Sequence, residues 1–163
     1  MTTNLLSQAI TQLLNDALHA ELSAFYQYRN LSNQCQRLGY FGAAKFFKSE
    51  STDEAEHAKR IEDYFNDRGS VAGLPELSET SDKITTLEQA LTLAYNTELD
   101  LNKSYSTWYA QSLAKDITTA QFLLQFIEIQ RKSVGEYADW LQRLSLVSDD
   151  SCGILLIDKE LGE

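Results

Sequence analysis

The chain is poor in residues that break helices and in sulfur that could build a covalent or metal framework. It has one proline, seven glycines, two cysteines and two histidines in 163 residues. A lone proline, Pro75, leaves long stretches on either side free to be helical. Cys35 and Cys152 share no motif spacing, so neither a disulfide framework nor a thiolate zinc site is indicated. No stretch approaches the roughly 20 apolar residues of a membrane span. The opening MTTNLLSQAI lacks the basic start and apolar run of a signal peptide. The expected location is the cytoplasm, with no membrane contact. Positive charge is scarce as well: 14 Lys and Arg stand against 24 Asp and Glu, a formal net charge of −10. Phosphate binding needs clustered Lys and Arg, which argues against nucleic acid as a partner. A cationic substrate would suit such a chain.

What is present is helical periodicity. The length and ordinary apolar content fit a single domain over 1–163 with a proper core. Four long segments, at about 4–34, 41–68, 86–115 and 118–146, carry apolar residues at spacings of three and four. Thr86 with Gln89, and Thr118 with Gln121, read as capping boxes at the last two starts. Residues 69–85 (GSVAGLPELSETSDKIT) have the composition of a loop. Extended, these residues could cover about 58 Å, whereas a 28-residue helix is only about 42 Å long. The loop can therefore run the length of a bundle and start the third helix at the same end as the second. Two helical hairpins joined by one long crossover are the expected architecture, an all-α four-helix bundle. A short fifth helix is expected at about 153–161; its Ile154, Leu155, Leu156 and Ile157 suggest packing between subunits.

The informative feature is a set of polar residues where the stripes call for leucine. The first helix steps Leu13, Ala17, Glu21, Ala24, Tyr28; the second, Phe47, Glu50, Glu54, His57, Ile61. The third reads Ala94, Glu98, Leu101, Tyr105, and the fourth Ile127, Gln130, Val134, Tyr137. Each intrusion lies within about three residues of its helix midpoint, so within roughly 5 Å along the axis. All four helices thus deliver polar groups to one central layer. Buried carboxylates left alone cost several kcal/mol or take up protons. The three carboxylates nearest the midpoints, Glu21, Glu54 and Glu98, and the His57 imidazole, with no Lys or Arg on the same faces, need a counter-charge, and metal ions supply it. Carboxylate with imidazole suits iron, manganese or zinc. Glu54-x-x-His57 sets two ligands on adjacent turns, and one carboxylate can bridge two ions about 3.5–4 Å apart.

These residues carry a resemblance. Ala20-Glu21-Leu22 with Tyr28, Glu54-x-x-His57 within DEAEHAKRIEDY, Tyr95-x-x-Glu98, Gln130 shortly after FLLQFIE, and the terminal LIDKEL together resemble the non-heme ferritins of bacteria, over essentially the whole chain. The resemblance implies a ferritin-like bundle and a di-iron ferroxidase centre. In it Glu21, Glu54 and His57 hold one iron, Glu54 bridges to a second, and Glu98 with Gln130 completes that second position. Tyr28 would stand beside the pair as an electron donor or ligand-orienting group. Fe(II) would be oxidised by dioxygen and stored as ferric mineral inside a homo-oligomeric shell, twenty-four subunits by the family pattern. Gln130-x-x-Ser133 resembles the animal catalytic-type ferritins and makes the second position the weaker one. Heme is not expected, because Ala55 follows Glu54 where bacterioferritins have a methionine. Ile129, Lys132 and Ser133 occupy the places of a third iron site. Asp53 and Glu56 match positions associated with mineral nucleation, with Lys59 in place of a third acid. Ala120 and Leu123 leave the usual acidic channel lining uncharged. A different di-iron enzyme, or a shell subunit without catalysis, are the competing readings; metal analysis with product detection separates them.

Overall fold

Capping chemistry decides where the helices of this computed structural model begin and end, and the structure describes residues 3–163. The first helix, α1 (Gln8–Leu38), starts where the Ser7 hydroxyl oxygen accepts the Ile10 main-chain N–H. It ends at Gly39, which adopts φ +91°, a left-handed conformation that glycine takes without a Cβ clash. The expected start near residue 4 is therefore too early. Asn4 accepts a bond from the Leu6 N–H, and the Leu5 N–H donates to the Arg68 carbonyl, so this lead is pinned outside the helix. The other helices are α2 (Phe41–Asp67), α3 (Leu87–Leu113), α4 (Ile117–Val147) and α5 (Ser151–Leu161). No strand occurs among the described residues.

Thr86 caps α3 by accepting the Gln89 N–H, but the Gln89 side-chain oxygen accepts the Thr85 N–H instead of that of Thr86. At α4 the expected Thr118 box does not form. Asp116 takes the cap, accepting the N–H groups of Thr118 and Thr119, because a carboxylate at a helix N-terminus also gains from the helix dipole. The same carboxylate pairs with Arg68 at 3.0 Å, tying the end of α2 to the start of α4.

Helices α1 and α2 pack as one hairpin, α3 and α4 as the other. The crossover between them is fastened along α1. Near its start the Gly73 N–H donates to the Asn15 side chain; near its end Gln34 binds both the Ile84 N–H and the Asp82 carbonyl. It thus travels most of the length of α1 before α3 begins, which fixes the height of α3 against α1.

The buried stripe of every helix meets in one core, led by Leu14, Leu18, Leu31, Phe47, Ile61, Phe65, Leu91, Leu123 and Phe126. Truncating one of the buried leucines to alanine would cost about 2–5 kcal/mol.

The fifth helix folds back onto the chain's own bundle with part of its apolar run. Ile157 and Leu161 are buried against the chain's own bundle, where α5 packs on α2 and α4. The buried Asp158 carboxylate accepts the N–H groups of Gly42 at 3.1 Å and Ala43 at 2.8 Å. It satisfies donors at the start of α2 that the cap residue Tyr40 leaves free. Within the run 154–157, Leu155 and Leu156 face outward, each more than half exposed. The approach is so close that a Cβ on Gly42 would lie 1.6 Å from the Asp158 carbonyl oxygen. Gly42→Ala is therefore expected to displace α5 and to cost about 1–3 kcal/mol, the usual penalty of overpacking. Urea unfolding of the variant measures it; an unchanged midpoint would show that α5 is not held there.

Candidate metal centre

One turn of α2 and a neighbouring turn of α1 build the heart of the site. Glu54 and His57, three residues apart, point from the same face of α2, and His57 Nδ1 lies 3.0 Å from Glu54 Oε2. Glu21 of α1 meets them, its Oε2 lying 3.4 Å from the same nitrogen. The three residues offer ligand atoms that all lie within 4.8 Å of one another, and all three are buried. Glu21 Oε1 accepts the hydroxyl of Tyr105 from α3. Its Oε2 is fully enclosed and makes no hydrogen bond. A buried carboxylate oxygen without a donor is costly, and a cation placed among these three side chains would give it a partner.

Glu98 and Gln130 adjoin this group without being part of it. With the Gln130 amide nitrogen turned toward Glu98, it donates to Glu98 Oε2 at 2.7 Å and to the Glu98 carbonyl at 3.2 Å. Glu98 Oε1 accepts the hydroxyl of Tyr28. Both Glu98 and Gln130 are fully buried. A carboxylate held on one side by an amide and on the other by a phenol keeps its orientation but is not saturated, since each oxygen has two acceptor sites.

Burial dominates the electrostatics. It pushes Glu54 well above the usual carboxylate range, with the nearby Glu21, Glu98 and Glu50 adding to the shift. Glu98 is pushed up to about 7 by burial, with the Tyr28 hydrogen bond opposing and the charges of Glu21 and Glu50 adding. For Glu21 burial acts upward too, but the neighbouring Glu54, His57 and Tyr105 outweigh it and hold the group below the ordinary value. Glu21 and Glu54 are thus pushed in opposite directions within one site. Such a layer exchanges protons for cations: divalent ions that bind must displace what burial has placed there.

The layer is walled by aromatic rings. Tyr105 stacks on Phe126 at 5.0 Å, and His57 meets the same Phe126 edge-on at 6.0 Å. Three residues of this environment lie on the periodic stripes without a role that periodicity alone assigns. Tyr105 and Tyr137 occupy stripe positions where any large apolar residue would fit, so their hydroxyls went unassigned. Glu50 stands on the inward stripe one turn before Glu54, yet is only partly buried and binds Tyr137. The signal available for all three was a polar atom at a core position. Asp53 and Glu56, by contrast, lie on the exposed face of α2, where Lys59 sits 3.7 Å from Glu56 and 3.7 Å from Asp63.

A model of the ferritin-like domain matches residues 11–147. The chain belongs to the ferritin family. This ferritin is 26% identical over 159 residues to a probable bacterial non-heme ferritin-like protein of Haemophilus influenzae, covering 97% of this chain and 96% of that protein. It has the same identity and coverage with a bacterial non-heme ferritin of Staphylococcus aureus. Among solved structures it resembles an open pore ferritin from the hyperthermophilic archaeon Archaeoglobus fulgidus. The TM-score there is 0.93 at 23% identity, over 96% of this chain and 98% of that one. The fold of this ferritin is thereby established, and its buried Glu21, Glu54 and His57 form a group able to hold a metal ion. No helix among its described residues is long and apolar enough to cross a membrane.

Proposed function

We propose that the chain, acting as one unit over 1–163, is a cytoplasmic ferroxidase and iron-storage subunit whose substrates are Fe(II) and dioxygen. Glu21, Glu54 and His57 receive one Fe(II). Glu54 reaches a second, which Glu98 and Gln130 complete. Two irons each give up one electron, and dioxygen takes both with two protons. Burial disfavours the charged form of Glu54 and Glu98 in the metal-free protein, so binding a cation, which needs both charged, favours release of protons at the site. Tyr28 and Tyr105 hold Glu98 and Glu21 in place through their hydroxyls. Copies of the chain would form a closed shell, twenty-four by the family pattern, in which the ferric product mineralises.

The observation that carries this reading is the Glu21 oxygen, buried and without a donor, within reach of a carboxylate and an imidazole from α2. The position with two glutamates and a histidine is the stronger one. The Glu98 and Gln130 side, lacking a carboxylate at position 133, is the weaker one, which suits iron that passes through. Anaerobic Fe(II) titration by calorimetry is expected to show two binding events per subunit, the second weaker. Mixing with aerobic buffer should then give ferric absorbance much faster than the free ion does. A chain that binds no Fe(II) saturably and oxidises it no faster than buffer is not a ferroxidase.

A further inference from the structure

The metal layer contains a crossed pair of tyrosine–glutamate bonds. Tyr28 stands seven residues beyond Glu21 on α1, and Tyr105 seven residues beyond Glu98 on α3. That spacing, close to two turns, keeps each pair on one helix face. Neither tyrosine serves the glutamate of its own helix: the Tyr28 hydroxyl donates to Glu98, and the Tyr105 hydroxyl to Glu21. A step of seven along α1 answers a step of seven back along α3, as antiparallel neighbours require. Of the two, Tyr105 touches the stronger metal position, and it is firmly set. It is fully buried, its ring stacked on Phe126 with planes 2° from parallel and met edge-on by Trp108 at 5.1 Å. Phe126 also carries the His57 ring. One ring from α4 therefore places both the phenol at Glu21 and the imidazole beside it. The Tyr105 bond takes Glu21 Oε1 and leaves Oε2 as the enclosed oxygen without a donor, 3.4 Å from His57 Nδ1. A carboxylate that grips one ion with both oxygens must turn both toward it. Here one is turned away, to α3.

We propose that Tyr105 is a specificity-determining positioning residue, which makes Glu21 a one-oxygen ligand and so keeps the first metal position short of ligands. The inference rests on the ferroxidase reading for the ions that occupy this position. Glu21, Glu54 and His57 each offer one ligand atom there. Three protein atoms and one exchangeable partner suffice for zinc. Manganese favours six oxygen-rich ligands and is poorly served by so few. A second oxygen from Glu21 would serve it better, and the Tyr105 hydroxyl withholds that oxygen. A position kept open in this way suits a cation that must enter, react and leave.

Calorimetric titration of the metal-free chain with Zn(II) and with Mn(II), reading the first binding event, tests this. Tyr105→Phe keeps the ring and its stacking but frees Oε1. It is expected to bind Mn(II) several-fold more tightly at that event, while Zn(II) stays within about twofold of wild type. Loss of packing alone would weaken both ions together; an unchanged ratio between them overturns the proposal. Tyr28→Phe, which acts on Glu98, should keep the wild-type ratio at this event. Adding Glu21→Gln to Tyr105→Phe should abolish the Mn(II) gain, since an amide offers one oxygen only. A crystal structure of the wild-type chain soaked in Mn(II) is a check that needs no variant. One Glu21 oxygen on the ion is expected, and both on the ion overturns the proposal. Either failure, with Fe(II) still bound and oxidised fast, leaves the ferroxidase reading standing. A wild-type chain that binds no divalent ion at Glu21, Glu54 and His57 removes both.

Discussion

Replacing Glu54 with alanine is expected to slow iron oxidation by at least about 100-fold, the upper end of what losing a mere supporting partner costs at metal sites. Glu54 is the one side chain assigned to both iron positions, and its removal reduces the first to Glu21 and His57. It also takes away a neighbour that helps hold Glu21 below the ordinary carboxylate range. Two irons would no longer be held at the distance that lets dioxygen draw on both. The fold, in contrast, should survive. In the metal-free chain Glu54 is a buried acid pushed toward its neutral form, so its loss relieves a desolvation cost that offsets part of the cavity left behind. Stopped-flow measurement of ferric absorbance, paired with a thermal melt, checks both halves. Rapid oxidation in a well-folded Glu54→Ala variant would place the chemistry elsewhere on the chain.

The stability of the metal-free chain is expected to fall as pH rises from about 5 to about 8, the reverse of the ordinary trend for an acidic protein below neutrality. Burial pushes Glu98, and separately Glu50, up to about 7, against an ordinary value of 4.5. Between those two values the folded chain holds protons that the unfolded chain has released. Stability therefore decreases through this window, by about 3 kcal/mol for a group shifted this far. It is fully present below pH 4.5 as far as these two groups are concerned, and lost above 7. Divalent cations reverse the trend, because they bind the deprotonated layer and stabilise only the folded chain. Melting temperatures at pH 5.5 and 8, with and without Co(II), should show the largest metal-induced gain at the higher pH. A metal-free melting temperature that climbs over this range would mean the layer is not protonated as burial requires.

Much of this arrangement is legible in the amino-acid order, for a physical reason. A helix face has a fixed period, so a carboxylate at 21, 54 or 98 stands out against the leucines and alanines around it, and midpoints of antiparallel helices coincide. The crossover was readable from length alone, since residues 69–85 are far more than a turn between adjacent helices needs. What the order hides are contacts between groups of ambiguous character. Tyr105 and Tyr137 count as apolar in any periodic reading, yet their hydroxyls bind Glu21 and Glu50. Asp116 caps α4 two residues ahead of a plausible threonine box, a choice favoured by its pairing with Arg68. The apolar run of α5 has the same pattern whether it covers its own bundle or another chain. Asp158, an acid inside that run, was the residue that decides it, because its partners lie more than a hundred residues earlier.

The fastening of the crossover has a bearing on how such a chain can change over time. Its two anchors, Asn15 with Gly73 and Gln34 with Ile84, set the vertical position of α3 from outside the stretch that separates them. Leu74, within that stretch, is three-quarters exposed. Lengthening a flexible segment costs little, growing only with the logarithm of its length. Insertions and deletions between the anchors are thereby decoupled from the height of Glu98 opposite Glu21. Lineages can vary this segment in length and sequence while the iron chemistry beneath it stays in register.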